Sequence, residues 1–240
     1  MSARGPAVLD MSRQPGEEWT GFAERIADAF GLVLLLVLVT YVLWSLTPYQ
    51  GWTAAVTAAV AAGSSVVALT SAKARPRLIR WGAYLATVAV VLAVVNAAFG
   101  SGACLGIGAL IQMLLFLIAA GAVLRAVLSE AQVGFRTILG AISVYIIFGL
   151  LFTFLYLGID RLQSGAFFGQ GVHVGTGSYV FFSITTLTTT GYGDLVPAGQ
   201  PGRMFSGLEM LFGQIFLVTL IAGLVSLWRP GQRFRPKEGE

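Results

Sequence analysis

Six stretches of 18 to 25 residues, at 29–46, 52–72, 81–99, 103–124, 137–157 and 204–228, limit what this chain can fold into. The first five contain no Asp, Glu, Lys or Arg, and the sixth contains one acid, Glu209. A helix rises about 1.5 Å per residue and bilayer hydrocarbon is about 30 Å thick, so roughly 20 apolar residues make one crossing. Only 11 % of the 240 residues are charged and 56 % are hydrophobic, whereas soluble domains carry about a quarter charged residues. A soluble body of this size exposes too much surface to hide that much apolar side chain. The expected fold is an all-α integral membrane protein with six transmembrane helices.

Two scarce residue types exclude whole classes of chemistry. Cys104 is the one cysteine and His173 the one histidine, which leaves no internal disulfide framework and no thiolate or imidazole metal cluster. Most Ser/His and Cys/His nucleophile schemes fall with them, so no enzyme is expected. An intramembrane hydrolase would need a base within the membrane, and His173 lies outside the apolar stretches.

The basic excess, 15 Lys and Arg against 11 Asp and Glu, is a topology signal and not a nucleic-acid footprint. With both termini cytoplasmic, thirteen of the fifteen basic residues fall on the inner side, leaving Arg161 and Arg203 outside. Cytoplasmic loops retain Lys and Arg in this way. Residues 1–28 form a cytoplasmic segment whose Trp19, Phe22 and Ile26 recur at helical spacing with Phe30 just beyond it. That stripe either lies along the inner interface or extends the first span into water. No cleaved signal peptide is expected there. Residues 29–128 read as a four-helix transmembrane bundle, 129–228 as a second domain around the fifth and sixth spans, and 229–240 as a short cytoplasmic tail. Residues 103–124 hold no arginine, and Arg125 stands at the inner end, so the bundle lacks the repeated charges that work against a membrane field.

The fifth and sixth spans are joined by 46 residues, 158–203, and loops of that length are usually functional. Within them, 178–188 is an apolar, hydroxyl-rich run suited to a helix of about 16 Å, half a crossing, with Ser178 as its expected N-cap. It must dip into the membrane and return. The returning strand, Thr189, Thr190, Gly191, Tyr192, Gly193 and Asp194, cannot face lipid with open carbonyls and must line a polar cavity.

TTTGYGD at 188–194, between the last two spans, resembles the signature of tetrameric potassium channels, over about residues 134–228. The resemblance implies a homotetramer in the cell membrane around a central pore, with the helix at 178–188 as a re-entrant pore helix before a selectivity filter. Main-chain oxygens replace the water of a passing K+ ion in such filters. Gly191 and Gly193 enter left-handed conformations without steric cost, so alternation with Thr190 and Tyr192 turns successive carbonyls to one axis. By resemblance, K+ is held at Thr189 (hydroxyl and carbonyl), Thr190, Gly191 and Tyr192, Gly193 completes the filter, and Asp194, Thr185, Phe181, Phe182 and Glu209 support it. The chain differs from the commonest pattern at Thr190, Thr185 and Phe181, where relatives often carry valine, glutamate and tryptophan.

An acid inside a membrane helix is a functional candidate by default. Glu209 is either part of a hydrogen-bonded network behind the filter, with the pore-helix hydroxyls of a neighbouring copy, or solvated in an outer vestibule. Gly213 stands where the family often carries a gating hinge, and close helix packing is the other role open to it. Gln214, Leu217, Ile221 and Val225 follow at helical spacing as expected cavity lining. The expected function is passive, potassium-selective conduction without strong voltage gating, with a non-selective cation channel or a non-conducting subunit as the alternative. A four-repeat transporter is excluded because the chain has one such loop. K+ is then the permeant ion, no organic cofactor is needed, and the partners are further copies of the chain and membrane lipids. His173, in the outer loop, is either a pH sensor or a solvated residue.

Overall fold

The computed structural model describes residues 29–47, 52–129, 134–169 and 174–227. Seven helices run through them: α1 (Ala29–Leu46), α2 (Trp52–Ser71), α3 (Pro76–Phe99), α4 (Gly102–Leu128), α5 (Phe135–Leu162), α6 (Thr176–Leu187) and α7 (Gln200–Leu227). Five of them, α2 to α5 and α7, are long and apolar enough to cross a membrane. The apolar helix Phe30–Leu46 is shorter. The stripe at 1–28, His173 and the tail at 229–240 lie outside the described residues.

Local chemistry sets several helix ends. Pro76 opens α3, where its missing N–H costs nothing. Gly100 closes α3 at φ 68°, its N–H donating to the Asn96 carbonyl, and Ser101 then caps α4 by accepting from the Cys104 N–H. One cap expectation is overturned. The half-length helix starts at Thr176 with Gly175 at its N-cap, so Ser178 lies inside it. Within its first turn Gly177 lies close against α1: a Cβ there would stand 2.6 Å from the Ser45 carbonyl oxygen.

Small residues let the bundle close. Gly82, Ala86, Ala89 and Ala93 are buried along one face of α3, and Ala54, Ala58, Ala61, Ala62 and Ala68 are buried on α2. In lipid, association rests on such close packing and on interhelical hydrogen bonds, because the tails are as apolar as leucine. The bundle interior has both. Thr40 Oγ1 and Ser64 Oγ lie 2.8 Å apart, Gln112 Nε2 donates to Ser65 Oγ at 3.1 Å, and Trp44 Nε1 donates to the Thr57 carbonyl at 3.2 Å.

Helix α5 is the keystone. It packs against α1, α4, α6 and α7 and is buried along two-thirds of its apolar length. Its most extensive contact is with α4, where Gly158 meets Leu110 and the backbone at Gly106. By contrast, among the described residues α7 touches only α5 and α6 of the helices, and it leaves Met204, Leu211, Phe212, Ile215, Val218 and Ile221 exposed.

Gly158→Val is therefore expected to force α4 and α5 apart. A Cβ there would stand 2.6 Å from Leu110, and overpacking of this kind costs about 1–3 kcal/mol. Thermal unfolding of the detergent-solubilised protein should show a lowered midpoint, while valine at Gly121, which has open space around it, should leave the midpoint nearly unchanged.

Candidate functional site

Helix α6, 12 residues long, is about 18 Å from end to end. It is wedged between α1, α5 and α7. Its C-terminus passes directly into the strand at 188–194, every residue of which is exposed in the single chain.

The strand has an alternating backbone. Thr189, Gly191 and Gly193 have φ of 55°, 53° and 81°, whereas Thr190 and Tyr192 do not have positive φ. The two glycines take this conformation freely, but a β-branched threonine enters it at a cost of about 1–2 kcal/mol. Sequence reasoning assigned the left-handed positions to the glycines and missed Thr189. Only the surrounding hydrogen bonds reveal it, because such strain persists where neighbouring structure over-determines it.

Those bonds all run one way. The Thr189 N–H donates to the Thr186 carbonyl at 2.9 Å, and the Thr190 and Gly191 N–H groups donate to the Thr185 carbonyl at 2.8 and 3.2 Å. Three successive donors are thus turned back to the last turn of α6, where helix carbonyls lack intrahelical partners. Thr185 acts here through its main chain. Its hydroxyl is turned away and donates to the Phe182 carbonyl at 3.1 Å. The Thr188 and Thr190 hydroxyls lie 2.9 Å apart, and that of Thr188 also donates to the Ile184 carbonyl at 2.7 Å.

Of Phe181 and Phe182, both expected to support the filter, the structure brings one to Tyr192. Phe181 lies 5.5 Å away, centroid to centroid, at a 30° tilt, while the Tyr192 ring remains 70 % exposed. Phe182 faces the other side of α6 and is buried among Tyr156, Phe167 and Phe168. A helix turns by about 100° per residue, so consecutive side chains cannot share a neighbour of this kind. Asp194 is exposed and accepts the Leu195 N–H at 3.0 Å.

Behind the strand, Glu209 is wholly buried at 0 % exposure. The Tyr156 hydroxyl meets Oε2 at 2.6 Å and the Ser183 hydroxyl meets Oε1 at 2.5 Å. The carboxyl therefore joins α5, α6 and α7 within one chain. Glu209 is thus buried and hydrogen-bonded, not solvated, and its α6 partner is a hydroxyl of its own chain where one from a neighbouring copy was expected. Gly213 sits one turn further along α7, against the Leu187 carbonyl at the end of α6, where any Cβ would collide with that carbonyl. Tyr145 donates to the same carbonyl at 3.3 Å. Gln214, Leu217 and Ile221 are exposed along α7 beyond this point, and Val225 belongs to the helix with its side chain outside the described set.

The outer loops are clamped together by residues that sequence reasoning did not single out. Asp160 Oδ1 accepts the Phe167 N–H at 3.1 Å, Phe168 and Pro197 form an antiparallel bridge, and Arg203 Nε donates to the Pro197 carbonyl at 3.2 Å. The signal available for Asp160 and Arg203 was their position, charged residues at the ends of two apolar helices.

A family model described as an ion channel matches residues 141–229, from the first third of α5 past the end of α7. No curated protein and no solved structure matches the chain. The matched region contains the whole of this site, and five helices of the chain have membrane-spanning length and composition.

A side chain at Gly213 is expected to push the C-terminal end of α6 away from α7. In Gly213→Val, hydrogen exchange at the Thr189, Thr190 and Gly191 amides should speed up by about fivefold or more, since each lost bond is worth about 1 kcal/mol. Unchanged exchange would show that α6 is held without this contact.

Proposed function

We propose that the chain is one subunit of a homotetrameric, potassium-selective channel in which residues 189–193 form the filter. The observation that carries this reading is the positive φ at every second residue from Thr189 to Gly193. Alternating hand turns successive peptide planes the same way, so the N–H edge faces α6, as the bonds to Thr185 and Thr186 require, and the carbonyl edge faces the opposite side. A dehydrated cation needs such a column of oxygen dipoles in place of its water. Thr189 adds its hydroxyl at the inner end, and the carbonyls of Thr189, Thr190, Gly191 and Tyr192 hold K+ above it.

The exposure of 188–194 supports assembly. A strand of open carbonyls within a membrane is tolerated only where it lines water or is buried in protein, and α7 leaves an apolar face uncovered beside it. Four copies around one axis meet both demands: the carbonyl edges ring a pore, and the α7 faces meet neighbours and lipid. Helix α6 then acts as the re-entrant pore helix, with α1 as a sixth span. Its C-terminal dipole favours a cation waiting in the inner vestibule, lined by Gln214, Leu217, Ile221 and Val225. Tyr192 on Phe181 sets the filter's width, and Asp194 and Glu209 support it from outside and behind. Gly213 packs against Leu187, and α7 bends at this glycine when the inner mouth opens. The distribution of basic residues supports cytoplasmic termini and a cell-membrane location. The uncharged bundle of α1 to α4 supports weak dependence on voltage.

Reconstitution into a planar bilayer with K+ on one side and Na+ on the other tests the reading. The expected reversal potential lies near that for K+, and a value near zero would instead indicate a non-selective pore. Gly191→Ala should abolish the current, because its φ of 53° places a Cβ in a region that costs about 1–2 kcal/mol in every subunit. Chemical cross-linking in the membrane should give a ladder that ends at four subunits.

A further inference from the structure

The Ser183 hydroxyl has one hydrogen and two acceptor neighbours. Its Oγ lies 2.7 Å from the Gly149 carbonyl oxygen on α5 and 2.5 Å from Glu209 Oε1 on α7. The carbonyl can only accept, so that contact is a hydrogen bond only when the Ser183 hydrogen points to Gly149. The contact to Glu209 then needs a hydrogen from Glu209 itself. With a carboxylate, one of the two short contacts would set oxygen lone pairs against each other with no hydrogen between them. With a carboxylic acid, every contact is satisfied in one direction: Tyr156 donates to Oε2, Oε1–H donates to Ser183, and Ser183 donates to the Gly149 carbonyl.

We infer that Glu209 is a neutral carboxylic acid that donates its proton to Ser183, so that a relay of hydrogen bonds from α7 through α6 to α5 positions α6. Burial agrees with the count, since Glu209 is fully enclosed in a membrane-spanning helix and an unpaired carboxylate is costly in such a place. The groups facing the carboxyl are hydroxyls. Tyr156 meets it from α5 and Ser183 from α6, and Tyr145 on α5 is a further ionisable group within electrostatic reach. Gly149 is suited to its part. A Cβ there would stand 2.6 Å from Ile184, so glycine lets α6 approach closely enough for Ser183 to reach the carbonyl. The Thr153 hydroxyl also donates to that oxygen, at 2.8 Å. Glu209 touches no permeating ion in this account. It is a positioning residue, and its effect on conduction rests on the channel reading above.

The test combines a spectroscopic signature with a rescue. The full-length protein, labelled with carbon-13 at its glutamate side-chain carboxyls and held in lipid vesicles at neutral pH, is examined by infrared spectroscopy. A label-sensitive stretching band of a protonated, hydrogen-bonded carboxyl is expected, and its loss is expected in Glu209→Gln. A spectrum with carboxylate bands alone overturns the proposal, and this arm needs only the unaltered chain. In vesicle flux measurements with K+, Glu209→Gln should remain within about twofold of the unaltered protein. Its amide can donate to Ser183 and accept from Tyr156 in the same positions. Glu209→Ala should lose on the order of tenfold by leaving both hydroxyls without this partner. Gln failing as badly as Ala would overturn the proposal, since negative charge would then be what the site requires. Failure of the channel reading looks different: the unaltered protein carries no K+ flux while the infrared band is unaffected.

Discussion

A main chain inside a membrane must satisfy its own polar groups, and the site depends on how the strand after α6 meets that demand. Seven helices settle the question for most of the chain by pairing their N–H and C=O groups internally. The segment at 188–194 is neither helical nor paired with a strand among the described residues. Its first donors are instead returned to the two carbonyls that α6 leaves open at Thr185 and Thr186. This pairs the N–H groups of Thr189, Thr190 and Gly191. In the channel we propose, the carbonyls of this segment become a binding surface when identical subunits surround a cation.

The rest of the fold holds that arrangement in place. Helix α5 passes behind α6 and supplies Gly149, Tyr145 and Tyr156 as three points of attachment, and α7 supplies Glu209 and Gly213. These contacts are of two physical kinds. Glycine positions remove bulk so that backbones approach, and buried hydroxyl and carboxyl groups provide direction where apolar packing provides none. Outside the helices, the Asp160, Phe168–Pro197 and Arg203 contacts tie the two ends of the long connection together. The strain at Thr189 fits this view. A threonine with φ of 55° persists because its N–H and both flanking segments are bonded to a helix end that cannot move independently.

Much of this was legible in the sequence because lipid imposes simple rules. The boundaries of α1 and α2 emerged to within a residue, since the hydrocarbon thickness bounds an apolar run. The starts of α3 and α5 were placed too late. Arg77, Arg80 and Arg136 belong to helices whose ends extend beyond the apolar run, and length counting stops at the first charge. Glu209 was recognisable as exceptional because acids are costly in such a helix, and a hydroxyl partner on the half-length helix of a neighbouring copy was expected. That this partner is Ser183, and that Tyr156 completes the site, depended on which faces of three helices meet.

By itself, then, the amino-acid order determined the number and approximate extent of the apolar helices, the half-length of α6, and the glycines that permit left-handed backbone at 191 and 193. These are local properties, set by hydropathy, helix rise and the absence of a Cβ. Only the tertiary structure decided that Thr189 joins the alternation, that Thr185 acts through its carbonyl, that Phe181 and not Phe182 meets Tyr192, and that Gly213 is pressed on Leu187. Each of these depends on the rotation and separation of helices distant in sequence, and a residue's type does not carry that information.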